Sequence, residues 1–190
     1  MDAYLAYVYG FICHFALDVT CHGYIDEKIA ASGVSHAEIE VEFDRELMIR
    51  DGLDPITHKL TDHIVPSEKN ADIIYPFFEG TNGTQVKKAL EGVIFNNNLL
   101  VAPSKVKRQF VYALLRVSGN YKEMHGLMVN FKKNPNCNDS TEKLLAFYET
   151  ARERSVKWIS EYEQFLSGEK KLDSIYDITF GGKTVENKEQ

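Results

Sequence analysis

Histidines and carboxylates recur at four-residue steps through an otherwise apolar stretch near the N-terminus, and this pattern restricts the fold more than any other. Between Tyr7 and Asp44, His14, Asp18 and His22 form one series, and His36, Glu40 and Asp44 a second. A four-residue step on an α-helix turns about 40° beyond a full circle and rises about 6 Å, so each series points from one face. Two side chains one turn apart have the geometry needed to grip a metal ion. A lone His-x-x-x-Asp more simply describes a core His bonded to a buried Asp. Two such pairs in neighbouring helices favour a metal, and the mixture of imidazole and carboxylate suits zinc.

The setting of the first series is unusual. From Ala3 to Leu17 nearly every residue is apolar or aromatic on all sides, the pattern of a buried central helix. His and Asp in such a place are costly unless neutralised or coordinated. Gly10, one turn before His14, would admit a neighbouring backbone. Asp2 stands where a targeting segment would be basic, and no positive charge occurs before Lys28. The apolar run is read as too short to span a bilayer, hence as a core helix and not a transmembrane segment. A Gly-containing break follows His22. Ser35 with Glu38 is a capping box, which predicts a second helix beginning at His36. Ile39, Phe43 and Leu47 lie beside its polar stripe, while Glu38 and Glu42 fall outside it and are expected in water.

These residues resemble the bacterial zinc-dependent phospholipase C family, all-helical hydrolases with a cluster of three zinc ions. The signature of that family is HxxxD on one helix, a following His, and HxxxE on the next helix. Here it reads His14-Phe-Ala-Leu-Asp18, His22, and His36-Ala-Glu-Ile-Glu40. The resemblance implies that His14 and Asp18 belong to a paired-metal site, with Asp18 bridging, and that His22, His36 and Glu40 hold a further zinc. His22 follows Asp18 by four residues, where the family spaces it by six. The resemblance covers about residues 7–50. The family's earlier ligands and its acidic base have no counterpart here, since only thirteen residues precede His14 and none is a His. One or two zinc ions are therefore expected, and no catalytic base is nominated.

The remaining chain reads as further helices. Asn82-Gly83-Thr84 opens one over 84–97, with Val86, Leu90, Val93 and Ile94 at helical spacing. Pro103 and Ser104 begin another over 103–117, whose buried face is expected to hold Val106, Phe110, Ala113, Leu114 and Val117. Lys105, Lys107 and Arg108 are assigned to its solvated face. The last long helix runs from about Asp139 to Leu166. His58 and His63 fall in a polar stretch and are read as surface-loop residues, the alternative being replacement metal ligands on a loop folded over the cluster. The expectation is an all-α, single-domain bundle of the phospholipase C and zinc-nuclease type with a buried first helix, spanning 1–168. A polar tail over 169–190 contains one apolar run, Ile175–Phe180, and is expected to be disordered from Gly181.

Composition limits the functions available. Within 190 residues, 44% are hydrophobic and 26% charged, ordinary values for one globular domain. The net charge of −6 argues against a general nucleic-acid patch or an anionic-membrane surface. Cys13, Cys21 and Cys137 show no disulfide spacing and are read as small buried hydrophobes in a reducing, cytoplasmic setting. The expected function is zinc-dependent hydrolysis of a phospholipid or other phosphodiester. The alternatives are a nuclease-like phosphodiesterase and a non-catalytic helical metal-binding protein. Apolar surface left uncovered by the absent family segment would favour a homo-oligomer.

Overall fold

The computed structural model describes residues 2–184, with the side chains of Lys122 and Glu123 excepted. The chain is all-α. Its helices are α1 (Ala3–Ser32), α2 (His36–Arg50), α3 (Glu68–Ile74), α4 (Gly83–Leu100), α5 (Lys105–Val117), α6 (Tyr121–Met124) and α7 (Asn138–Leu166). Among the described residues the single β-type pairing is an isolated bridge between Ile178 and Thr184. The chain divides into two compact units: a terminal unit, from the start to Gly33 and from Asp139 onward, and a central unit, Val34–Asn138.

The terminal unit is built on α1 and α7. Tyr9 donates to Glu163, Arg154 donates to Thr20, and Lys28 donates to Asp139. The partner numbers fall along α7 as they rise along α1, so the two long helices run antiparallel. Ile12, Phe15 and Ala16 of α1 pack with Trp158 of α7, and each large apolar side chain so buried contributes about 1.5–3 kcal/mol. The apolar run of the tail joins this core: Ile175, Tyr176, Ile178 and Phe180 pack against it. Phe15 lies within 6.0 Å of the Tyr176 ring and meets Phe180 edge-on at 5.3 Å. The Ile175–Phe180 run thus lies along the surface of this core as four half-buried residues. Of the end expected to be disordered, 181–184 form a turn closed by Thr179 and Lys183, and 185–190 lie outside the described residues.

Three expectations for the first helix need correction. Gly23 does not break it; α1 continues to Ser32 and ends at Gly33, whose φ of 70° is the left-handed cap that glycine accepts freely. It is also not too short for a bilayer, because its 30 residues are long and apolar enough by length and composition to cross one. Finally, it is not buried all round. Ile12, Phe15, Ala16, Cys21 and Ile25 are covered, whereas Tyr4, Phe11 and Cys13 are exposed. A single long partner helix and a short tail cover one side of a helix, not its circumference. Gly10 accordingly meets open space and no backbone.

In the central unit, α2 begins where the capping box predicts. Ser35 Oγ accepts from the Glu38 amide, and the Glu38 carboxylate accepts from the Ser35 amide. Gly126 sits against this cap; a Cβ there would stand 3.0 Å from Glu38 Cγ and 3.2 Å from Ser35 Oγ. Further along, Arg45 donates to the carbonyl of Asn130 at 2.6 Å, tying α2 to the 128–133 segment. Ile39, Val41, Phe43 and Met48 are buried. So is Glu42, only 1% exposed and without a hydrogen-bond partner among the described residues, contrary to its assignment to water.

A second core joins Val111 and Leu115 of α5 to Ala102 and Met128. The rotation of α5 is opposite to the sequence expectation: Val106, Phe110, Ala113, Leu114 and Val117 are exposed. Arg108 explains this. Its guanidinium is drawn inward, donating to the carbonyls of Val129 and Ala102 and lying 4.3 Å over the Phe131 ring. Loop carbonyls need donors when buried, and Arg108 supplies them at the cost of turning the other apolar face outward.

Candidate metal centre

The first series lies on the terminal unit. Continuous helix through residues 14–22 sets His14, Asp18 and His22 one turn apart. The Nε2 of His14 is 3.5 Å from one Asp18 oxygen, and the Nε2 of His22 is 4.0 Å from the other. Asp18 is thus the centre of the group, with one imidazole on either side. Its side chain is 20% exposed and that of His14 61%, so the group opens to solvent from the His14 end. Neither distance is a short hydrogen bond, which leaves both carboxylate oxygens able to accept from, or coordinate, something else.

The second series lies on the central unit. His36 Nε2 and Glu40 Oε1 approach to 2.8 Å, a direct hydrogen bond on an exposed part of α2. One turn on, the Asp44 carboxyl is pushed up to about 6, first by burial and then by repulsion from Glu40. Asp44 lines a cavity of about 150 Å³ with His58, Asn97 and apolar side chains such as Met48 and Leu100. His58 is therefore a cavity residue and not a plain surface-loop one, whereas His63 is exposed. His125 donates from Nδ1 to the Tyr121 carbonyl at 2.8 Å and stacks on the Tyr121 ring, a structural role.

The α1 group has neighbours that its local sequence does not announce. The Phe180 ring stands 5.3 Å from the His14 ring and edge-on to Phe11. Between α1 and α7 runs an open groove of about 450 Å³, lined by His14, Cys13, Leu17, Tyr148, Arg152 and Val156 among others. Arg152 pairs with Glu149 at 2.7 Å on the same helix. Phe180 was signalled by the apolar run at the tail, and Tyr148 and Val156 by the apolar packing surface of the last long helix; Arg152 stood among other charges on that helix.

The donor sets are chemically suited to zinc or a similar divalent ion, offering imidazole nitrogen and carboxylate oxygen in both units. No family model, curated protein or solved structure matches this chain.

Proposed function

We propose that this chain binds divalent metal, zinc by preference, and serves phosphodiester hydrolysis of the kind performed by the phospholipase C family it resembles. The observation that carries this reading is Asp18: a carboxylate flanked by two imidazoles at 3.5 and 4.0 Å, neither close enough to satisfy it. A structural His–Asp pair in a core closes to hydrogen-bond distance; an acid held loosely between two imidazoles fits the centre of a ligand set. His14, Asp18 and His22 are the proposed ligands on α1, and His36 and Glu40 those on α2. A metal held there would lower the pKa of bound water and offset charge developing at phosphorus.

The chain's own residues supply the remaining parts of this reading. The α1–α7 groove gives an apolar floor for the non-phosphate portion of a substrate, with Leu17 and Ile159 in its lining. Arg152, on the same groove, offers a permanent positive charge for a phosphate oxygen. Phe180 covers one side of the His14 ring and so limits its orientations.

Elemental analysis of protein purified without added metal tests the binding. Zinc is expected, and His22→Ala and His36→Ala should each lower it; zinc content indifferent to both variants would overturn the ligand assignment. A chromogenic phosphocholine ester and single-stranded DNA then separate lipase-like from nuclease-like hydrolysis. Turnover by residues 1–190 is expected to be weak, because the resemblance places no catalytic base among them. Zinc bound without turnover of either substrate would leave a non-catalytic metal protein.

A further inference from the structure

The exposed face of α5 has no role in the metal centre. Val106 is 82% exposed, Phe110 60% and Val117 90%, with Leu114 and Ala113 exposed between them. At 100° per residue, residues 106, 110, 113, 114 and 117 fall within about 100° of arc, so they form one continuous apolar stripe. Lys105 and Arg116 border that stripe on one side; on the other, Lys107 is half-buried and donates to the Asn98 and Val101 carbonyls. The helix carries no acid. From Gly83 to Val117 the chain has six basic side chains against the single acid Glu91; with the inward-drawn Arg108 set aside, five bases and one acid leave a local charge of +4 within a chain of −6. An apolar stripe with basic margins matches an anionic lipid surface, where the ring and aliphatic groups enter the acyl boundary and the cations meet headgroup phosphates.

We infer that α5 is a docking helix for anionic membrane surfaces, lying flat with Val106, Phe110, Leu114 and Val117 inserted at the interface. The net charge of the whole chain argued against such a surface, but the charge is divided unevenly and the basic share lies around this helix. The shape of the face also selects a lipid surface. Side chains exposed by 44–90% form a ridge, and a ridge enters a fluid boundary without needing a matching groove. The metal centre is not involved, so this inference stands or falls separately from the proposed hydrolysis.

Vesicle co-sedimentation of the full chain, with phosphatidylcholine alone and with added phosphatidylserine, tests it. The chain is expected to pellet with the anionic vesicles, and added salt should release it. Phe110→Asp and, as a second variant at a nearly fully exposed position, Val117→Asp should each weaken binding at least about tenfold, since each removes apolar burial and adds like charge. Lys105→Glu should lower it about tenfold. A chain that stays in the supernatant, binds both vesicle types equally, or binds undiminished after both Asp substitutions overturns the proposal. So does a dimer in lipid-free sedimentation velocity that Phe110→Asp dissolves, which would make the stripe a contact between two copies.

Discussion

Asp18 on α1 and Glu40 on α2 share the same spacing from a histidine, yet the two carboxylates are held differently. Glu40 closes on His36 at 2.8 Å in a half-exposed position, where water competes for both groups. Asp18 lies deeper, serves two imidazoles, and meets neither at short range. The difference teaches that four-residue spacing supplies only a shared face. Whether the pair is self-satisfied or left open depends on side-chain length and on what covers the face. Glu has the reach to bond back one turn; Asp, a methylene shorter, leaves a gap that an ion can fill.

The largest effect is expected where that gap is removed. Asp18→Asn should lower zinc affinity at least about tenfold, because outer partners of metal ligands alone are worth that much. Thermal melts with zinc and with chelator make the distinction: the stability loss should appear only with zinc. An equal loss of about 1–3 kcal/mol in chelator would instead identify Asp18 as a structural hydrogen-bond partner of the histidines.

Asp44 extends the comparison one turn along α2. Its folded-state carboxyl is raised to about 6, above the ordinary 3.8, so the folded protein holds this proton more tightly than the unfolded chain does. The associated destabilisation is absent below the unfolded value, grows as pH rises from the unfolded to the folded value, and is complete above the latter. In chelator, Asp44→Asn should therefore be more stable than the parent by about 3 kcal/mol at pH 8, with the difference vanishing near pH 3. Denaturant titrations at the two pH values check this, and a difference that does not change with pH would contradict it.

Glu42 is the fourth carboxylate case on these helices: buried, unpartnered among the described residues, and apart from the polar stripe. Glu42→Met, which keeps the volume and removes the charge, should raise stability by about 1–3 kcal/mol in urea unfolding. A loss would show that the carboxylate is satisfied by a group bound from solution. The smallest effect belongs to His14. Its side chain is largely exposed and its contact with Asp18 is long, so His14→Ala should leave chelated-protein stability within about 0.5 kcal/mol while reducing bound zinc. Calorimetry of both forms measures the two quantities together.

The sequence by itself determined that the chain is all-α and which candidate ligand residues share a helix face. The Ser35–Glu38 capping box starts α2 at His36, and helical periodicity puts His14, Asp18 and His22 on one face; both are interactions within a few residues. It did not determine which face each helix buries. On α5 two apolar faces compete, and the buried loop carbonyls of Ala102 and Val129, satisfied by Arg108, decide between them. On α1 an all-round apolar surface implied burial on every side, but α7 and the tail cover only one. Glu42 was read into water from its helical angle alone, and the surrounding packing buried it. Phe180 reaches His14 from the far end of the chain. Local rules fix periodicity and caps because their partners are three or four residues away. Burial and rotation depend on partners supplied from elsewhere in the chain, and only the tertiary structure names them.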